Sequence, residues 1–134
     1  MILTLRISLF LLLLLCPAPS FAGDPEMGEQ LTKRYCSGCH RFGPRFSRMN
    51  HSVIGPSIAS GVLGKKMGQV ADYRYSKTMR NVAKKNLTWN EKNLDQFLSN
   101  PGQFFEKTGM SAFRGVSDPE ERADLIAFLV SLGR

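Results

Sequence analysis

The chain has 134 residues, with 18 Lys and Arg against 11 Asp and Glu, a formal charge of +7. That length supports a single domain, and three cysteines, an odd number, exclude a fully paired disulfide framework. Apolar residues make up 43% of the chain, but 16 of them fall in residues 1–22, leaving roughly 42 in the remaining 112, a lean core beside the roughly 45–50% of a typical globular domain.

Residues 1–22 read as a secretory signal. Arg6 supplies the positive start, Ile7 to Leu15 the apolar run, and Ser20-Phe21-Ala22 the small residues at the −3 and −1 positions of a cleavage site before Gly23. The apolar run is too short to span about 30 Å of hydrocarbon, which argues against a membrane anchor. A lipoprotein signal ending at Cys16 is disfavoured by Leu15 before it and Pro17 after it. Cleavage after Ala22 leaves residues 23–134 as one periplasmic domain at +6, with Cys36 and Cys39 as its cysteines.

A first helix runs from about Pro25 to Ser37 and delivers Cys36-Ser37-Gly38-Cys39-His40. This is the pattern of covalent c-type haem attachment. Two thiols three positions apart reach the vinyl groups on one porphyrin edge, and the adjacent imidazole can turn beneath the iron. Three other readings compete. A thioredoxin-like pair needs a βαβ context, and no strand precedes Cys36. A zinc site needs four ligands, and His51 is the one further soft ligand. A plain disulfide leaves His40 unexplained.

Residues 41–75 form a long loop broken by Gly43-Pro44, Gly55-Pro56, Gly61, Gly64 and Gly68. A loop of that length needs an organiser, and a buried haem would be one. A short helix follows from Ser76 to about Lys84. The next opens at the capping sequence Thr88-Trp89-Asn90-Glu91, places Leu94, Phe97 and Leu98 on one face, and stops at Asn100-Pro101. Lys107 to Phe113 is irregular, so Met110 can cross an open haem face as the second axial ligand, a thioether that raises the reduction potential. Met27, Met49, Met67 and Met79 are the other candidates, with core packing as their expected role. A last helix begins at Ser117-Asp118-Pro119-Glu120 and buries Leu125, Ile126, Phe128, Leu129 and Leu132 before Gly133. No period-2 run suggests a sheet, so the expected class is all-α.

In this order the motifs resemble a class I cytochrome c of the mitochondrial and α-proteobacterial soluble type, over nearly all of residues 23–134. The resemblance is carried by Gly28 eight residues before Cys36, the attachment pattern, Gly55-Pro56, the segment from Gly61 to Gly68, and Tyr73-Arg74-Tyr75-Ser76. The 21-residue spacing from Trp89 to Met110 and the ending from Arg122 to Leu129 complete it. It implies helices wrapped around one haem c, bound covalently through Cys36 and Cys39, with His40 and Met110 as iron ligands. It further implies that the Pro56 carbonyl accepts from the other ring nitrogen of His40, that Tyr75 and Trp89 bond a buried propionate, and that Lys65 partly neutralises it. Gly28 would let the first and last helices cross near Leu125 and Phe128.

The departures carry information too. Phe97 stands where the family commonly has Tyr, and Glu106-Lys107 replaces Pro-Gly, with one extra residue between Met110 and Phe113. Residues 41–54 are longer than usual and hold Met49 and His51 as a competing ligand, and Thr32 replaces an aromatic residue at the helix crossing. The family's ring of lysines is missing at Tyr35, Gly102, Gln103 and Gly109. Positive charge gathers instead at Arg41, Arg45 and Arg48, at Lys65-Lys66, and at Lys77, Arg80, Lys84 and Lys85. The implied function is a soluble, monomeric, non-enzymatic electron carrier that meets redox proteins, including partners with acidic docking faces. No motif points to nucleic acid. Two alternatives stand beside it: a cytochrome subunit of a periplasmic dehydrogenase or oxidase complex, and a peroxidase-like or gas-binding haem protein with a labile Met110.

Overall fold

The computed structural model describes residues 22–42 and 55–134. The expected export signal, apart from Ala22, lies outside the described residues, as do Met49 and His51. Five helices follow in chain order: α1 (Pro25–Cys36), α2 (Lys77–Ala83), α3 (Glu91–Ser99), α4 (Pro101–Phe104) and α5 (Pro119–Ser131). The described residues contain no strand, only an isolated antiparallel bridge between Lys66 and Thr88.

Local chemistry sets the helix starts. Asp24 caps α1 by accepting from the backbone N–H groups of Glu26 and Met27 at 2.8 and 3.4 Å, with Pro25 in the first turn. Asp118 and Pro119 repeat the device on α5, where Asp118 accepts from the Glu120 N–H at 2.8 Å. The α3 start differs from the sequence reading. Its cap is Asn90, two residues beyond Thr88: Asn90 accepts from the Asn93 N–H at 2.9 Å, and Asn93 accepts from the Asn90 N–H at 2.9 Å. Thr88 and Trp89 instead run alongside residues 64–67. The Trp89 N–H donates to the Lys65 carbonyl at 2.9 Å, and Gly64 N–H donates to the Trp89 carbonyl at 2.8 Å. The pairing fixes the indole in place.

The two terminal helices pack closely because Gly28 has no side chain. A Cβ there would fall 1.9 Å from the Asp124 carbonyl oxygen and 2.8 Å from Phe128 Cβ. Beside this crossing Thr32 is wholly buried, its hydroxyl donating back to the Gly28 carbonyl at 2.8 Å. Phe42, also wholly buried, meets Phe128 edge-on with ring centroids 6.2 Å apart. Further bonds tie the pair: the Asp24 N–H donates to Asp124 at 2.7 Å, and the Tyr35 hydroxyl donates to Glu121 at 2.8 Å.

Arg122 joins α5 to α3. Its Nε donates to Asp95 at 2.7 Å, and its Nη1 donates to the carbonyls of Val116 and Ser117, both at 2.9 Å. The core falls into two clusters. One centres on Leu31, Leu94, Phe97, Leu98, Leu125 and Leu129; the other holds Met67, Met79 and Val82. Trp89 and Phe105 pack against both.

Candidate haem site

A cavity of about 670 Å³ opens where the two clusters face each other. This is the size of a cofactor pocket. It is walled chiefly by apolar side chains, including Ile58, Val62, Leu94, Phe97, Leu98 and Leu129. On this background stand Cys36, Cys39, His40, Pro56, Tyr75, Trp89 and Met110, which the fold brings to one space from five separate segments. Lys65 is not among the lining residues. Its ammonium donates to the Ser60 carbonyl at 2.7 Å and to the Ser60 hydroxyl.

The end of α1 and the turn after it present the thiols. The His40 N–H bonds to the Cys36 carbonyl at 2.8 Å, closing the turn that carries Cys39. Neither cysteine is in a disulfide. Burial pushes the Cys36 thiol up to about 12, and the neighbouring Cys39 pushes the same way. Cys36 therefore holds its proton at neutral pH, unlike the thiolate of a redox-active pair. Among the described residues no group of three His, Cys, Asp or Glu is arranged to hold a bare metal ion.

The imidazole of His40 is clamped. Nδ1 lies 2.8 Å from the Pro56 carbonyl oxygen, and as its N–H donates there, Nε2 keeps the free lone pair. Gly55 leaves the room: a Cβ on it would come within 2.5 Å of His40 Cε1. Met110 enters from the irregular loop after α4. Its N–H donates to the Thr108 hydroxyl at 3.0 Å, and its carbonyl accepts from the Phe113 N–H at 2.9 Å. Lys107 and Gly109 turn that loop with φ of 54° and 88°.

Trp89 is wedged among Phe97, Phe104 and Phe105, at centroid distances of 5.1, 6.2 and 6.2 Å. The Tyr75 hydroxyl accepts from the Val70 N–H at 3.3 Å, and burial raises its ionisation above the ordinary tyrosine value. Two lining residues escaped the sequence reading. Met79, assigned to core packing, reaches the cavity as well as the second cluster, and Arg74 stands at its edge between Tyr73 and Tyr75. Of the other methionines, Met67 is buried away from the cavity and Met27 is 45% exposed. An apolar slot with two thiols, a pre-oriented imidazole and a thioether suits a flat iron macrocycle.

No protein-family model matches the chain. Cytochrome c2 of Rhodomicrobium vannielii is 40% identical over 110 residues, covering 82% of this chain and 80% of that protein. Cytochrome c of Cannabis sativa is 36% identical over 107 residues, covering 80% and 88%. Among solved structures, cytochrome cH from Methylobacterium extorquens matches with a TM-score of 0.66 at 34% identity, covering 81% of this chain and 99% of that one.

The chain belongs to the class I cytochrome c family. It is accordingly a helical electron-transfer haem protein whose cofactor is a covalently attached c-type haem, with Cys36 and Cys39 in the attachment pattern. No helix among the described residues is long and apolar enough to cross a membrane.

Proposed function

We propose that this chain is a periplasmic one-electron carrier, exported by residues 1–22, whose single haem has His40 and Met110 as axial ligands. The observation that carries this reading is the convergence of Cys36, Cys39, His40 and Met110 on one apolar cavity, with His40 Nδ1 engaged by Pro56. The haem supplies a metal centre that takes up and releases a single electron. The protein's part is to hold that centre still. Cys36 and Cys39 would hold the haem covalently, Pro56 orients the imidazole that would bind it, and Met110 would supply a soft donor. Trp89 and Tyr75 supply donors for the buried propionates. Gly109, Ser111 and Ala112, exposed residues of the cavity wall, form the face over which electrons pass.

Charge is unevenly placed. Residues 65–85 carry Lys65, Lys66, Arg74, Lys77, Arg80, Lys84 and Lys85 against Asp72 alone, whereas the caps and bodies of α1 and α5 hold most of the acidic groups. That asymmetry orients the molecule toward an acidic redox partner. A second reading, a dedicated subunit of a periplasmic dehydrogenase or oxidase complex, is favoured by the uncharged Gly109-Ser111-Ala112 face. Salt-insensitive co-purification with one partner would establish that reading.

The test is the spectrum of purified holoprotein. A low-spin reduced form, with the weak Met–iron band when oxidised, is expected. Met110→Ala should abolish that band and Met79→Ala should leave it. A high-spin oxidised wild type, or loss of the band in Met79→Ala alone, would overturn the ligand assignment.

A further inference from the structure

We infer that Arg74, rather than Lys65, is the cation that pairs with the haem propionates in this protein. The inference rests on the haem occupying the cavity described above. The covalent tether fixes the orientation: Cys36 and Cys39 take the vinyl edge, so the propionate edge, opposite it on the macrocycle, points away from the end of α1. Helix α2 does not pack against α1, and the cavity lies between them. The segment leading into α2, Tyr73-Arg74-Tyr75-Ser76, therefore forms the wall that faces the propionates.

Chemistry agrees with position. Two carboxylates brought against an apolar wall need hydrogen-bond donors and positive charge. This wall concentrates donors, with two phenols and the guanidinium in three consecutive residues. Arg74 is the sole Lys or Arg among the described residues lining the cavity. The Lys65 ammonium, by contrast, is engaged by both oxygens of Ser60. A planar guanidinium can meet a carboxylate through two N–H groups at once, which an ammonium cannot do. The neighbouring guanidinium of Arg80 is otherwise occupied, donating to the Tyr75 carbonyl.

A cation beside the propionates offsets negative charge near the iron and so favours the reduced state. Redox titration of holoprotein variants reads this directly, once covalent haem and a low-spin spectrum have been verified in each. Arg74→Gln should lower the midpoint potential, Arg74→Lys should restore most of the loss, and Lys65→Gln should shift it less. Lys85→Gln, on an exposed turn that does not line the cavity, gauges the general effect of removing one surface charge. An Arg74→Gln shift no larger than that of Lys85→Gln, or a larger shift for Lys65→Gln, overturns the inference while leaving the haem assignment standing. A wild-type protein purified without covalent haem overturns both.

Discussion

Tyr35 occupies a position where the family's pattern would place a basic residue beside the first haem cysteine. Here its ring lies edge-on to Phe113 at 6.3 Å, and its hydroxyl donates to Glu121 on α5 at 2.8 Å. That hydrogen bond, then burial, then the nearby Glu121 charge hold the phenol above its ordinary value of 10.0. Tyr35→Phe should cost about 0.5–1.5 kcal/mol at pH 7, toward the lower end because water reaches the pair. The folded state binds this proton more tightly than the unfolded chain. The contribution is therefore complete below the unfolded tyrosine value and disappears as pH rises through the higher folded one. Urea denaturation of the two holoproteins should show curves that converge above that range; a constant gap would assign the loss to packing alone. How much was legible also divides at this scale. Cys36, Cys39 and His40 were readable because their chemistry is written within five consecutive residues. The preference for Arg74 over Lys65 was not, since it depends on Ser60 capturing one ammonium and on which segment the chain folds across the cavity.

Among the helices, the terminal pair carries the most closely packed contact in the fold. Gly28 brings α1 against the Asp124 carbonyl, and the space a side chain would need is already taken by that carbonyl and by Phe128. Gly28→Ala must either separate the helices or displace Phe128, at a cost of about 1–3 kcal/mol, typical of overpacking. Thermal unfolding of the holoprotein should show the drop, and Gly28→Val should exceed it. Equal stability of Gly28→Ala and wild type would mean that the helices can part freely. Helix positions were largely legible because Asp24-Pro25 and Asp118-Pro119 announce their starts in local sequence. Two features were not. The α3 cap fell on Asn90 because Asn93 could reciprocate, while Thr88 was drawn into the bridge with Lys66. The short α4 forms because Asn100 accepts from the Gln103 N–H at 3.0 Å ahead of Pro101, a one-turn device with no hydrophobic period to reveal it.

At the level of the whole molecule, the lean apolar composition and the large cavity are one fact. Roughly 42 apolar residues outside the N-terminal segment do not close a core around 670 Å³ of space. A haem seated there would supply the apolar contacts that these side chains leave unmade, and so would be a structural member as much as a redox centre. A Cys36→Ala, Cys39→Ala double variant, prepared without haem, should keep part of its far-ultraviolet helix signal, because the caps of α1, α3 and α5 are local. It should lose the near-ultraviolet dichroism of Trp89, whose surroundings are the cavity wall, and melt without a cooperative transition. Sharp two-state unfolding of that apoprotein with the Trp89 signal intact would show that the polypeptide alone holds the two clusters in place around the cavity.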